Sequence, residues 1–409
     1  MKRLLLIFMI YLAGAGFANA GGYQVNLIGI RYVGMGHIGT SLTMDAGSIF
    51  FNPGSLSLIK DKYSVTGSVS GIFSYTQFQA ANGGFSARTD NPLSTPFSVF
   101  ASAKLSDAIS VGLGVYTPFG SSIVWGDDWG GKYLIQDIKL KSVLFQPTVS
   151  YQIGDKLGIG AGLVFAYGKV DLNKALPLTF ADGSSGQVNL KGHATSWGYN
   201  LGITYKLLED LTIGLNYRSK IKMDLKDGDA NFKVPGSVSS NFPAGNQFDA
   251  TLPLPAVLSG GVSYKINDKF LIGAQLEYIR WSVYDSLIFD FKENTSSLPD
   301  SRNPRKYKNT FIYRLGAQYK ASDLITVRLG GYYDETPVRT EYENPETPDG
   351  NRLGFSAGLS IFPMEGLSVD LSFLFVNQLK RDSEYAPANF KGAYKTYAYI
   401  PGIGLTYNF

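Results

Sequence analysis

Apolar and polar positions alternate with a period of two along most of this chain. The C-terminus shows the pattern plainly. Tyr397, Tyr399, Ile403, Leu405, Tyr407 and Phe409 share one parity with Pro401, while Ala398, Gly402, Gly404, Thr406 and Asn408 hold the other, where only Ile400 is large and apolar. Such a row predicts a strand with one apolar face and one small or polar face. Tyr63, Val65, Val69, Phe73 and Tyr75 form another row, as do Phe311, Tyr313, Leu315, Ala317 and Tyr319, then Leu353 to Ile361 and Leu367 to Phe375. The chain stops on an aromatic residue. A soluble protein gains little from an exposed terminal Phe. A strand that closes a barrel in lipid, and is read by a barrel assembly machinery, gains both a lipid contact and a signal. A buried terminal strand of a soluble sandwich is the alternative at this point.

The connections between rows fall into two lengths. Six are tight: Leu105 to Ala108, Ile153 to Lys156, Leu208 to Leu211, Ile266 to Lys269, Ala321 to Leu324 and Phe362 to Gly366. They are built from the Asp, Asn and Gly that short hairpins use. Seven are long and polar: Ala80 to Asn91, Pro118 to Lys139, Asp171 to Gly186, Lys222 to Asn246, Lys292 to Pro304, Asp334 to Asn351 and Lys380 to Lys391. Thirteen connections make fourteen strands. Short turns alternating with long loops predict a 14-stranded antiparallel transmembrane β-barrel, all-β, with periplasmic turns and external loops. A soluble two-sheet protein would not sort its connections by length.

Composition agrees with a barrel. The chain has 409 residues, 14% aromatic, with 47 Gly and no Cys, and a mean hydropathy of -0.02. Lys2 and Arg3, the apolar run Leu4 to Leu12 and the small residues ending Ala18-Asn19-Ala20 read as a secretory signal peptide over 1–20, with the mature chain beginning at Gly21. No Cys follows, so a lipoprotein is excluded. Losing Lys2 and Arg3 lowers the formal charge from +4 to +2. That balance gives no case for nucleic acid, which calls for a clustered basic patch. Residues 21–60 do not alternate. Gly34-Met35-Gly36-His37-Ile38-Gly39 fits a dinucleotide fingerprint, but no preceding strand or following helix accompanies it. Glycines that let a compact segment fold tightly inside something else are the better reading.

Candidate chemistry is sparse. His37 and His193 are the two histidines; Ser196 falls on the opposite strand face from His193, and no G-x-S-x-G elbow occurs. No catalytic residue, metal site or cofactor is therefore expected. Asp127 and Asp128 read as loop solvation. Arg218, Arg314 and Arg328 sit at inward parity. A guanidinium beside an apolar pocket would hold a carboxylate; pairing with Asp370, Glu277 or the N-terminal segment is the alternative. After Tyr278 the large residues change parity to Ile279, Trp281 and Val283. Either a bulge resets the register or these three line an apolar pocket, the reading preferred here. The basic loop Arg302, Arg305, Lys306 and Lys308 is a candidate contact for lipopolysaccharide.

Several blocks resemble one family in order and spacing. They are Gly22-Tyr23-Gln24-Val25-Asn26; Asp45-Ala46 with Phe51-Asn52-Pro53-Gly54; Tyr116-Thr117-Pro118-Phe119-Gly120 followed by Asp127-Asp128-Trp129 and Lys132-Tyr133; Tyr278 to Ser282; and Asp334 to Pro337 with Pro348 to Arg352. The chain resembles the FadL/TodX-type outer-membrane transporters of long-chain fatty acids and aromatic hydrocarbons. Gly54 departs from the Ala usual there. The resemblance implies a hatch over 21–60 plugging a barrel over 61–409, anchored by Asn52, Pro53 and Gly54. It also implies a binding site inside and a lateral opening beside the third strand. Gly112, Gly114 and Pro118 would weaken that strand; room for the hatch is the other use for the two glycines. The expectation is a monomer in the outer membrane of a Gram-negative bacterium, in contact with outer-membrane lipid and lipopolysaccharide. It would take up hydrophobic small molecules passively, with long-chain fatty acids leading over alkanes and aromatics. A non-specific diffusion porin and an outer-membrane lipase are the alternatives.

Overall fold

The computed structural model describes residues 22–409, so the signal peptide expected over 1–20 lies outside the described residues. Strand segments join into fourteen staves. The first is Tyr63–Ser70 with Phe73–Ala80, the second Ser86–Arg88 with Phe97–Lys104, and the third Ile109–Tyr116 with Gly120–Val124. The fourth to sixth are the long, unbroken Asp137–Ile153, Leu157–Thr179 and Ser185–Lys206. The seventh is Leu211–Arg218 with Ile221–Lys233, the eighth Asn246–Leu254 with Val257–Lys265, the ninth Phe270–Ile279 with Ser286–Phe291, and the tenth Ser301–Pro304 with Thr310–Lys320. Ile325–Asp334, Arg352–Met364, Leu367–Gln378 with Arg381–Tyr385, and Phe390–Asn408 complete the set. Neighbours pair antiparallel, and the last stave pairs with the first, Val65 opposite Tyr407 and Phe73 opposite Tyr399. The sheet therefore closes, leaving no free edge in lipid.

Alternation decides which side chain meets which solvent. Leu201, Leu315, Leu329 and Phe355 are exposed on the outer wall, whereas Ser64, Ser150, Asn200 and Thr204 are buried on the inner one. The terminal row behaves as its parity predicts: Ile403, Leu405, Tyr407 and Phe409 face out, and Ile400 is buried. The Phe409 ring lies 4.9 Å from Tyr407 and 5.1 Å from Tyr63. Its backbone exchanges both hydrogen bonds with Tyr63.

The long staves overrun two of the expected loops. Most of Asp171 to Gly186 and the first half of Lys222 to Asn246 are strand. Those segments read as loops because their charged positions alternate. Their inward partners are apolar, however: Ile221, Met223 and Leu225 are buried between exposed Lys222 and Lys226. The fourth stave shows the reversal within one strand. Near its periplasmic end Phe145, Val149 and Tyr151 point out and Gln146, Thr148 and Ser150 point in. At its far end Lys139 and Lys141 point out while Ile138 is buried. Above the lipid the barrel turns its apolar side inward.

Inside the ring lies the N-terminal segment, with short helices Ile30–Val33 and Ser48–Phe51 and a 3-10 turn Pro53–Leu58. Arg31 pairs with Asp370 at 3.0 Å, and the Gln275 carboxamide oxygen accepts from both Gly39 and Thr40 N–H at 2.9 Å. Asn52 donates to Thr40 and Ile203 carbonyls and accepts from Gly54 N–H, so it caps the turn that Pro53 begins. A Cβ on Gly54 would stand 2.6 Å from the Gly158 oxygen and 2.8 Å from that of Gly202. That crowding leaves no room for a side chain at position 54. The G-x-G-x-x-G stretch is not a dinucleotide turn. Gly36, at φ 75°, packs on wall residues Gly330 and Gly331.

Candidate binding site

Three cavities meet at one side chain. The most apolar, about 100 Å³, is walled by Ile138, Leu140, Leu172, Met223, Leu225 and Phe248 among others, with Tyr23 of the N-terminal segment. These are the inward residues of the reversed zone. A second cavity of about 800 Å³ runs along Gly22 to Leu27, Pro92 to Phe97 and Phe119 to Ile123. A third, about 30 Å³, lies deeper between Phe50, Tyr116, Leu144, Val164 and Arg218. Phe119 lines all three.

Phe119 stands where the wall parts. Second and third staves pair up to Ser98 opposite Tyr116, with a last bond from Thr117 N–H to the Phe97 carbonyl. They meet again only at Val124, whose carbonyl accepts from Asp90 N–H and whose N–H donates to the Asn91 side-chain oxygen. Between these points no bond joins the two staves among the described residues. Gly120–Val124 stays with the fourth stave, and Ser94 bridges to Ile72 of the first. Pro92, Pro96 and Pro118 border the gap, and none has an N–H to offer. The N-terminal segment takes up the freed backbone: Val25 N–H bonds the Pro118 carbonyl at 2.8 Å, and Gly120 N–H bonds that of Tyr23 at 3.0 Å.

Gly112 and Gly114 lie below this break, in fully paired strand. A Cβ added at Gly112 would meet Ile49 at 2.6 Å, and one at Gly114 would meet Phe100 at 2.7 Å and Ile49 at 3.2 Å. The two glycines make room for the N-terminal segment, and Pro118 alone of the three lies at the gap.

The three arginines divide. Arg314 is buried and paired with Glu277 at 3.0 Å, and it also donates to the Gly36 carbonyl. Arg328 donates to Gln318 and Ser360. Arg314 thus meets the alternative of pairing with Glu277 and the N-terminal segment, Arg328 is held by neutral wall side chains instead, and neither lines any of these three cavities. Arg218 is half-buried, with its guanidinium 4.0 Å over the Phe50 ring, and it lines the third cavity. No carboxylate of the described residues lies within ion-pair distance of it.

Ile279, Trp281 and Val283 also part from the preferred expectation. The ninth stave stops at Ile279, a 3-10 turn covers Trp281–Val283, and strand resumes at Ser286. The parity shift is thus a break in the strand. Trp281 is buried, but against Tyr23 at 4.9 Å and Tyr307 at 5.8 Å; none of the three residues lines any of the three cavities. Tyr284 and Leu287, just beyond, do. In the basic loop Arg305 is buried and paired with Glu346, while Arg302 and Lys306 pair with Asp285. Three of that loop's four cations are thus ion-paired, and exposed Lys308 is in no ion pair among the described residues.

The loop Asp334 to Asn351, expected to be external and polar, holds Val338, Glu343, Asn344 and Asp349 buried. Asp349 accepts from Gly22 N–H at 2.9 Å and pairs with Arg352 at 2.7 Å. Sequence reasoning also passed over Phe119 and the inward apolar row of the extended staves. The row had a signal: regular alternation whose charged parity matched the lipid-facing parity lower in the same strand.

A closed barrel with an apolar outer band and an apolar chamber inside defines an outer-membrane β-barrel built around hydrophobic space. The chain belongs to the outer membrane protein transport protein family (OMPP1/FadL/TodX), whose model matches residues 11–409. It is 26% identical to outer membrane protein P1 of Haemophilus influenzae, over 90% of this chain and 88% of that one. It is 21% identical to the long-chain fatty acid transport protein of Escherichia coli K12, over 96% and 95%. Among solved structures it superposes on a Pseudomonas aeruginosa FadL homologue with a TM-score of 0.84 at 20% identity, covering 95% of this chain and all of that one. The Ralstonia pickettii toluene transporter TbuX gives 0.72 at 19% identity, covering 93% and 98%. The protein is thus a transport protein of the Gram-negative outer membrane, for hydrophobic compounds, and not an enzyme.

Proposed function

We propose that the protein takes up long-chain fatty acids passively, binding them in the apolar chamber and releasing them sideways into the membrane through the break beside the third stave. The observation that carries this reading is an apolar chamber that meets, at Phe119, a cavity lined by the inward cation Arg218, which no carboxylate of the described residues approaches within ion-pair distance. A fatty acid offers an apolar chain for the first and a carboxylate for the second. Each methylene moved from water into such a chamber favours binding by about 0.8 kcal/mol. The same term opposes release into the aqueous periplasm, so a path into lipid suits this cargo.

Phe119 would stand at the fork, touching chamber, gap and the Arg218 cavity. The N-terminal segment would act as the plug, held by Asn52, Pro53 and Gly54, with Gly112 and Gly114 as part of its seat. Because Tyr23 and Val25 bond the backbone on either side of Phe119, movement of that segment would open the gap and the chamber together.

The experiment is uptake by cells of a Gram-negative host lacking its own fatty-acid transporter. Oleate uptake that depends on this protein supports the reading. Aromatic hydrocarbon uptake without oleate uptake would move the cargo class. Rapid passage of small sugars through liposomes carrying the protein, with no oleate dependence, would replace it by a diffusion porin.

A further inference from the structure

We propose that the outer wall carries a binding site for the phosphorylated headgroup of lipopolysaccharide, formed by Lys141, Lys169 and His193 on the fourth, fifth and sixth staves. The three lie in one cross-strand row: Lys141 is opposite Lys169, and Lys169 is opposite His193. All are exposed, between buried or half-buried inward neighbours.

The height of the row points to a headgroup. From Ile153 at the periplasmic turn, the outward positions of the fourth stave are apolar, aromatic or proline up to Val143, and Lys141 is the first charge above them. Ten residues at about 3.3 Å each, tilted about 45°, rise about 23 Å, which matches the apolar band of an outer-membrane barrel. An aromatic girdle lies directly beneath, with Phe165 and Trp197 at 4.9 Å and Tyr167 against His193 at 6.0 Å. Lys141 and Lys169 therefore sit where acyl chains give way to phosphate in the outer leaflet.

Charge makes the row unusual. Like charges directly opposite one another destabilise a sheet, and no carboxylate of the described residues lies within ion-pair distance of either lysine. The next row up alternates in sign, Lys139, Asp171, Lys191 and Asp229, and Lys191 reaches Asp171 at 3.7 Å. That row neutralises itself. The lower one leaves two ammonium groups and an imidazole facing outward, a donor set complementary to a phosphate ester. Lys141 also stands opposite Gly120 at the rim of the wall break, so a bound lipopolysaccharide would flank the gap.

The test uses the folded full barrel in detergent, titrated with bisphosphorylated lipid A and followed by native mass spectrometry. Folding of each variant is verified by heat-modifiability. Each surface cation contributes enough that K141Q/K169Q should bind about thirtyfold more weakly than the native protein. K141R/K169R should retain binding, and K222Q/K226Q, which removes lysines already paired with Asp224 and Asp249, should not change it. Undiminished binding by K141Q/K169Q, equal binding of dephosphorylated lipid A, or equal binding of phosphatidylglycerol would each overturn the proposal.

Discussion

Replacing Arg218 with Gln separates a carboxylate site from a merely greasy one. The guanidinium stands in a cavity with apolar walls, Leu144, Val164, Leu254 and Val257, and its observed partner is the face of Phe50 at 4.0 Å. A cargo carboxylate bound there would make a charge-assisted hydrogen bond in water-poor surroundings, worth about 1.5–3 kcal/mol, or about 10- to 150-fold in Kd. The cation–π contact adds a smaller contribution, about 0.5–2 kcal/mol, which supports the N-terminal segment whatever the cargo. The assay is binding of oleate against an alkene of the same chain length to R218Q, R218K and the native barrel. Oleate affinity should fall by that factor in R218Q and largely survive in R218K, while alkene affinity changes little. Equal losses for both ligands would assign Arg218 to packing. No loss for oleate would remove it from the binding site.

Other elements give further tests. A Cβ at Gly202 would lie 2.0 Å from the Asn52 side-chain oxygen and 2.8 Å from Pro53, so Gly202→Val should leave a barrel whose residues 48–58 become cleavable by added protease; native protection would show that this anchor is dispensable. Burial pushes Glu343 from 4.5 up to about 8, against the pull of Arg381. Protonation therefore favours the folded loop. The stability Glu343 contributes is full below 4.5 and is lost as pH rises towards 8, so hydrogen-exchange protection over residues 335–351 should fall across that window in the native protein and stay flat in Glu343→Gln. Removing Phe409, which packs against Tyr407 and Tyr63, should sharply reduce heat-modifiable barrel in the outer membrane, because both a lipid contact and the expected assembly signal go; normal levels would refute that role.

The barrel was legible because lipid allows few solutions. A strand facing lipid must alternate, and its connections must sort by side, so alternation and turn length were enough to count fourteen strands. The interior was harder to read, because pairing there depends on register. Nothing in the spacing of Glu277 and Arg314 announces that Gln275 stands opposite Arg314 and that Glu277 reaches it diagonally. Of the three, Arg218 alone lines one of the cavities. The chamber was hidden for a different reason. In Asp137 to Lys141 and Ile221 to Lys226 the charges occupy the outward parity, and polarity was taken for looseness although the alternation never stopped. At Trp281 the parity shift was visible, but a shift of one position does not distinguish a pocket wall from a broken strand packed on Tyr23.

Closing the gap tests the central claim most directly. The chain has no cysteine, so pairs introduced between residues 93–95 and 119–122 can be screened for one that oxidises, with Ala101 and Leu113, already opposite in paired strand, as a control pair. If cargo leaves sideways through the break, the oxidised barrel should still bind oleate in detergent, should fail to deliver it to cells, and should recover delivery on reduction, while the control pair changes nothing. Full oleate uptake through a verified cross-link across the gap would contradict lateral release and send the cargo past the N-terminal segment instead.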